Sequence, residues 1–410
     1  MLKPALLLAA ALISASAAAR TLTVNPGADA QEALQTALLD AKPGDRVQLA
    51  AGRYVLADGL SLDVAGVTVA GAGPDQTILD FTSQKGEGEG LLVTSSNVLI
   101  RDLAVENAKG NGIKSKGSDG ISFVNLRVEW TGGLKSTNGA YGVYPVSSNH
   151  VLIDRVYVEG ASDAGIYVGQ SDQIIVRNSK AEGNVAGIEI ENSYFADVHD
   201  NIATGNTGGI LVFDLPDLPQ QGGHSIRLFK NAVTANNHPN LAGVGNIVAS
   251  VPPGTGIMVM ANRNVHVFDN DIKANGGNAV MLVAYSQKFT DKAYNSLPRA
   301  IAVRGNRYTG NDSAPKFKGG AEIAAAVGGT LPPVMWDGVT RFTVPGGAET
   351  TAEGGIFVND GPMLNLNLKT QGAPPTNAQP EVSTMLTMAT LPEPATVVLP
   401  AAQEARAKAK

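Results

Sequence analysis

Glu189 and Glu191 stand two residues apart in the run Gly187-Ile-Glu-Ile-Glu. Alternate side chains of an extended strand share a face, so the two carboxyls project from one side with Cα atoms about 6.5–7 Å apart. Acids at that separation can divide proton donation and acceptance between them if their surroundings keep one neutral. A few residues on, Tyr194, Asp197 and His199 lie within Tyr194-Phe-Ala-Asp-Val-His-Asp, and phenol, carboxylate and imidazole all move protons. Asp214 and Asp217, with the two glutamates, offer the hard oxygen donors that Ca2+ takes. The 410 residues include no cysteine and only five histidines, which excludes thiolate nucleophiles, disulfides and cysteine metal sites. A formal net charge of −6 with 17% charged residues argues against a general nucleic-acid binder.

The elements that must position these residues repeat. A glycine followed by a short apolar strand returns at Gly90, Gly112, Gly142, Gly165, Gly187, Gly209 and Gly256, then as Ala279-Val-Met-Leu. Five of the seven intervals are 22 or 23 residues, and inserted loops stand at 131–141, 214–223, 237–255 and 285–298. A second strand follows about seven residues after the first, as in Gln173-Ile-Ile-Val and Asn264-Val-His-Val, and a third ends on Gly or Asn. Three short strands with tight corners fill about 22 residues, and Gly or Asn supplies the left-handed backbone those corners need.

Strand alternation then sorts the side chains. Ile166, Val168, Ile188, Ile190, Ile210, Val212, Ile257 and Val259 point inward. The residues between them form an outward ribbon, one rung per coil: Lys114 and Lys116, Tyr144, Tyr167, Glu189 and Glu191, Leu211 and Phe213, Met258 and Met260, then Met281. Lysines would attract carboxylates and tyrosines would underlie sugar rings, which makes Lys114, Lys116, Tyr144 and Tyr167 candidate ligand contacts. Glu189 and Glu191 fall within reach of the carboxyl spacing used in glycoside hydrolysis. Leu211, Phe213, Met258 and Met260 form an apolar stretch that needs a cover, either the inserted loops or a partner protein.

The repeat resembles that of right-handed parallel β-helix proteins, the architecture of pectate lyases, polygalacturonases, alginate epimerases and phage tailspikes. The resemblance implies an all-β, single-stranded parallel β-helix of three strands and about 22 residues per coil. Residues 30–41 read as an amphipathic helix that caps the first coil, as in that group. The stretch from Tyr194 is similar to the Tyr-Gly-Phe-Asp-Pro-His-Glu motif of alginate C5-epimerases. That likeness implies proton-transfer roles for Tyr194, Asp197 and His199, although Val198 stands where the motif has Pro. The runs from Glu191 and from Gly208 also resemble a family of exported bacterial β-helix proteins of unestablished function, often encoded beside a c-type cytochrome.

These readings divide the chain into five parts. Residues 1–19, a charged start, an apolar centre and Ala17-Ala18-Ala19, read as a cleaved secretory signal, hence a periplasmic or secreted protein. Residues 20–60 form the cap and first coil, 61–312 the β-helix, 313–371 an irregular last coil or cap, and 372–410 a flexible Ala/Pro-rich tail. The expected function is binding of an acidic polysaccharide, with lyase, epimerase or hydrolase chemistry on it if the protein is an enzyme, and Ca2+ is the one cofactor suggested. The alternative is a non-catalytic scaffold that docks a periplasmic protein such as a c-type cytochrome on the apolar rungs.

Overall fold

The computed structural model describes residues 19–409 apart from 244, 286, 288, 289, 292, 293, 344–348, 352–354 and 384–390. All but one residue of the expected signal segment thus lies outside the described residues. The chain winds into a parallel solenoid whose coils stack in register. One sheet of 12 strands runs from Leu60–Leu62 to Glu381–Ser383 and carries the Gly-led strands; we call it the site sheet. A sheet of 19 strands, the broad sheet, is made by the second and third strands of each coil. The single-strand pairings within the winding are parallel, and an antiparallel pairing closes the site sheet between Met363–Asn365 and Glu381–Ser383.

The interior is the expected one. Ile166, Ile188, Ile190, Ile210, Val212, Ile257 and Val259 are all fully buried in one continuous apolar cluster. The glycines that lead the strands are required by how closely the coils stack. A Cβ on Gly112, Gly142, Gly187 or Gly209 would stand 2.5–2.6 Å from the carbonyl oxygen of the next glycine in the column. Any side chain there would force the coils apart.

The corner asparagines divide into two kinds. Asn178 and Asn192 take left-handed backbone, as the sequence suggests. Others form buried ladders instead: Asn184, Asn206, Asn236, Asn275 and Asn311 pass a side-chain hydrogen bond from coil to coil at 2.9–3.1 Å. A second ladder runs through Asn201, Asn231, Asn270 and Asn306 and ends on Asp360. Each side-chain amide also satisfies a corner backbone group, which buried corners need.

At the start, the helix Ala30–Asp40 buries Leu34 and Leu38 against the first coils as a cap. At the end, the last coil keeps the winding, and the segment beyond it departs from expectation. Residues 313–371 give rungs to both sheets, through Val334–Trp336 and Met363–Asn365 on one and Ile356–Val358 on the other. Residues 391–409 are not a loose tail: they form a strap that runs back along the broad sheet toward the cap. Val397 and Leu399, with Ala407 of the helix Ala401–Lys408, pack on Leu99, Val124, Leu152 and Ile175. Gln403 donates to Ile121 O, Ser122 Oγ and His150 O, and Arg406 to Asn97 O. The Ala/Pro composition suggests a tail because it has too few large residues for a core of its own. The apolar stripe that receives it belongs to other coils.

Candidate functional site

The outward ribbon of the site sheet is joined rung by rung. Ser61, Leu92, Lys114, Tyr144, Tyr167, Glu189, Leu211, Met258, Met281, Met335 and Leu364 are register neighbours in that order. Exposure falls along this line. Ser61 is exposed, Leu92, Lys114 and Tyr144 are half-buried, and Tyr167 at 5% and Glu189 at 3% are covered. Leu211 and Phe213 just beyond are at 0%. The cover is the chain itself. Val248 and Val251 of one insertion, Tyr285 and Tyr294 of another, and Ile323, Ala324 and Leu331 pack on Phe213, Met258, Met260 and Met281. The apolar rungs Leu211, Phe213, Met258 and Met260 therefore present no docking face for a partner protein, because the insertions already take their surface out of water.

Where the cover begins, three acids meet. Asp163, Glu189 and Glu191 are all at least nine-tenths buried and electrostatically linked. Tyr167 Oη donates to Glu191 Oε1 at 2.6 Å, and Tyr141 Oη lies 3.4 Å from Asp163 Oδ2. Burial, with the charge of Glu191, pushes Asp163 up to about 7. Burial pushes Glu191 up to about 7 as well, against the pull of its bonds from Tyr167 and Glu189. Glu189 is raised well above the usual carboxylate range by burial and then by its two acidic neighbours, and its Oε2 has no hydrogen-bond partner among the described residues. Buried like charges cannot all ionise, so this cluster retains protons near neutral pH.

Tyrosines floor the approach to the acids. The rings of Tyr141, Tyr144 and Tyr167 have centroids 4.4–4.9 Å apart. Gly169, between Val146 and Glu191 in the second outward column, makes their arrangement possible. A Cβ there would fall 2.4–2.8 Å from the Tyr167 ring, which lies across the vacant position to reach Glu191. Lys114 Nζ sits 5.0 Å from the Tyr144 centroid and 3.0 Å from Glu89 Oε1. Lys114 is thus already matched by a carboxylate, which weakens the expectation that it attracts another; Lys116 is exposed. A hollow of about 290 Å3, lined by Asp58, Ser61, Glu87, Glu89 and Leu92, opens at the uncovered end.

The other candidates lie elsewhere. Tyr194, Asp197 and His199 are on the broad sheet, apart from the two glutamates. Asp197 is held in a fork by Arg227 at 2.7 and 2.8 Å and accepts the Val397 amide at 3.1 Å. His199 pairs with Asp200 at 2.6 Å, and Tyr194 donates to Gln221 O at 2.5 Å. Two of the three face outward because the repeat places them so, and each is engaged in structural bonding. The proposed oxygen set for Ca2+ does not assemble: Asp214 accepts the amides of Gly222 and Gly223 at 3.0 and 2.8 Å, and Asp217 is exposed. Among the described residues no group of three or more His, Asp or Glu side chains is disposed to hold a metal ion.

Asp163, Tyr141 and Gly169 went unnoticed in the sequence. Asp163 precedes its strand and Tyr141 opens its own, both ahead of the glycine from which the alternation is counted. The usable signal was Gly169, a glycine where the ribbon otherwise carries side chains.

Several solved structures are similar to this chain. The A-module of mannuronan C-5 epimerase AlgE4 from Azotobacter vinelandii aligns at 16% identity and TM-score 0.48 over 86% of this chain and 96% of that one. An alginate lyase from Paenibacillus sp. aligns at 20% identity and TM-score 0.44 over 71% and 97%. The Family 28 exopolygalacturonase of Yersinia enterocolitica aligns at 12% identity and TM-score 0.45 over 77% and 68%. No curated protein matches the sequence. Residues 65–245 match the family described as a right handed beta helix region, and with the in-register coils on both sides of that stretch the chain is a right-handed parallel β-helix protein.

Proposed function

We propose that this is an exported polysaccharide-active protein in which Asp163, Glu189 and Glu191 form the proton-transfer site at the closed end of a groove. The observation that carries this reading is the proton-retaining acid cluster placed where a tyrosine-floored ribbon passes under cover. A linear polymer suits a face whose rungs recur every ~4.8 Å, and a carboxyl that keeps its proton near pH 7 can protonate a leaving oxygen. The segments that cover Leu211 and Phe213 close the ribbon just past the acids, so a chain end reaches Glu191 while the rest occupies the rungs of Tyr144, Lys114, Leu92 and Ser61. Acidic neighbours outnumber lysines here, and uncharged glycans therefore belong in the test beside polyuronates.

The experiment is a product assay on polygalacturonate, alginate and neutral glucans, with and without Ca2+. We expect mono- or disaccharide products from the earliest times without a drop in viscosity, and at least hundredfold slower turnover in Glu189→Gln or Glu191→Gln. A fast viscosity drop would refute action at chain ends. Turnover unaffected by either substitution, or no binding and no product on any glycan, would refute the site.

A further inference from the structure

The broad sheet carries its own register-linked outward column: Arg177, His199, Phe229, Phe268 and Arg304. The rings of His199 and Phe229 stack with centroids 4.8 Å apart, those of Phe229 and Phe268 at 5.0 Å. The Arg304 guanidinium lies 4.1 Å from the Phe268 centroid. A ledge of stacked rings thus runs between two guanidiniums, and four coil spacings make it about 19 Å long. Arg227, in the next column, stands 5.1 Å from the Phe229 ring.

The strap sets a carboxylate at each end of this ledge. Glu393 lies between Arg227, at 2.8 Å, and Arg304. Glu404 meets Arg177 through both oxygens at 3.1 and 3.2 Å. Planar guanidiniums prefer planar oxyanions in just this forked manner. Between its two glutamates the strap is held by Val397 and Leu399, by the Val397 amide on Asp197 and by three hydrogen bonds from Gln403, and the charged contacts at the two ends add to that hold.

We propose that the ledge is a binding site for a polyuronate chain, whose carboxylates take the places of Glu393 and Glu404, and that the strap is its displaceable internal occupant. A polymer with a carboxylate on each sugar offers anions at short intervals along a line, and the rings between the arginines give its C–H surfaces an apolar floor. The site is separate from the acid cluster and does not depend on it.

The test titrates polygalacturonate, with dextran as the uncharged control, against the full chain at low salt, while hydrogen exchange follows the Val397 amide that is bonded to Asp197. Glu393→Gln/Glu404→Gln is expected to bind polygalacturonate at least tenfold more tightly than the unaltered chain. Adding Arg177→Gln and Arg304→Gln should abolish the gain, and polygalacturonate should speed exchange at Val397 in the unaltered chain. If the glutamate variant leaves Val397 protected, Val397→Asp/Leu399→Asp releases the strap by its apolar contacts and the same tenfold threshold applies. A gain below twofold with the strap released, a gain that survives loss of both arginines, or equal binding of dextran would overturn the proposal.

Discussion

Replacing Glu191 with Gln should make the protein more stable at alkaline pH and leave it little changed in acid. Folding raises the Glu191 carboxyl from 4.5 to about 7. The folded chain therefore holds a proton across that window that the unfolded chain has released, and stability must fall as pH rises through it. The interval corresponds to about 3 kcal/mol. The groups that face this carboxyl are Tyr167, Glu189, Asp163 and Asp214. Gln can still accept from Tyr167, and it relieves Asp163 of a like charge. Denaturant unfolding of both chains from pH 4.5 to 8.5 is the assay. Buried groups with displaced titration that do not face Glu191, among them Asp312, Asp337, His224 and His266, act largely alike in both chains and drop out of the difference. That difference should be near zero at pH 4.5 and grow to about 3 kcal/mol in favour of Gln by pH 8. A difference that is flat with pH, or of opposite sign, would refute the account of a buried proton-retaining cluster.

Two further outcomes test the scaffold. Asn236→Ala removes four hydrogen bonds, taking the side-chain acceptor from the Asn206 backbone N–H and the side-chain donor from Ala203 O in the interior, and it should cost about 3 kcal/mol or more by denaturant unfolding. Gly187→Ala puts a methyl 2.6 Å from Gly209 O and 2.8 Å from Asn206 Nδ2; a loss of about 2–3 kcal/mol is expected in the same assay, and an unchanged midpoint would show that the coils can separate freely.

The winding was legible in the sequence because each coil repeats the same physical demand. Glycine must stand where carbonyls crowd, and an apolar residue must fill every second position, so a period of 22 residues shows through the insertions. Alternation placed Ile188 inward and Glu189 outward correctly. It did not show that outward here means covered, since the cover comes from residues such as Val248, Tyr285 and Leu331, which are distant in sequence and follow no period. For the same reason Lys114 read as an available cation, whereas its partner Glu89 lies one coil back. The epimerase-like stretch illustrates the opposite hazard. Outward Asp197 and His199 are what the repeat produces, and only the fork from Arg227 and the bond from the Val397 amide reveal that the carboxylate serves the coil stack and the strap.

The second asparagine ladder has a direction. Every amide in it gives to the coil ahead and receives from the coil behind, until Asn306 gives to Asp360, whose carboxylate can only accept. Tyr308 donates to that same oxygen at 2.9 Å. A duplicated turn spliced in anywhere between Asn201 and Asn306 would find a donor on one side and an acceptor on the other, so the protein can lengthen from its middle. Past Asp360 nothing remains to pass on, and the acid acts as a full stop for this ladder.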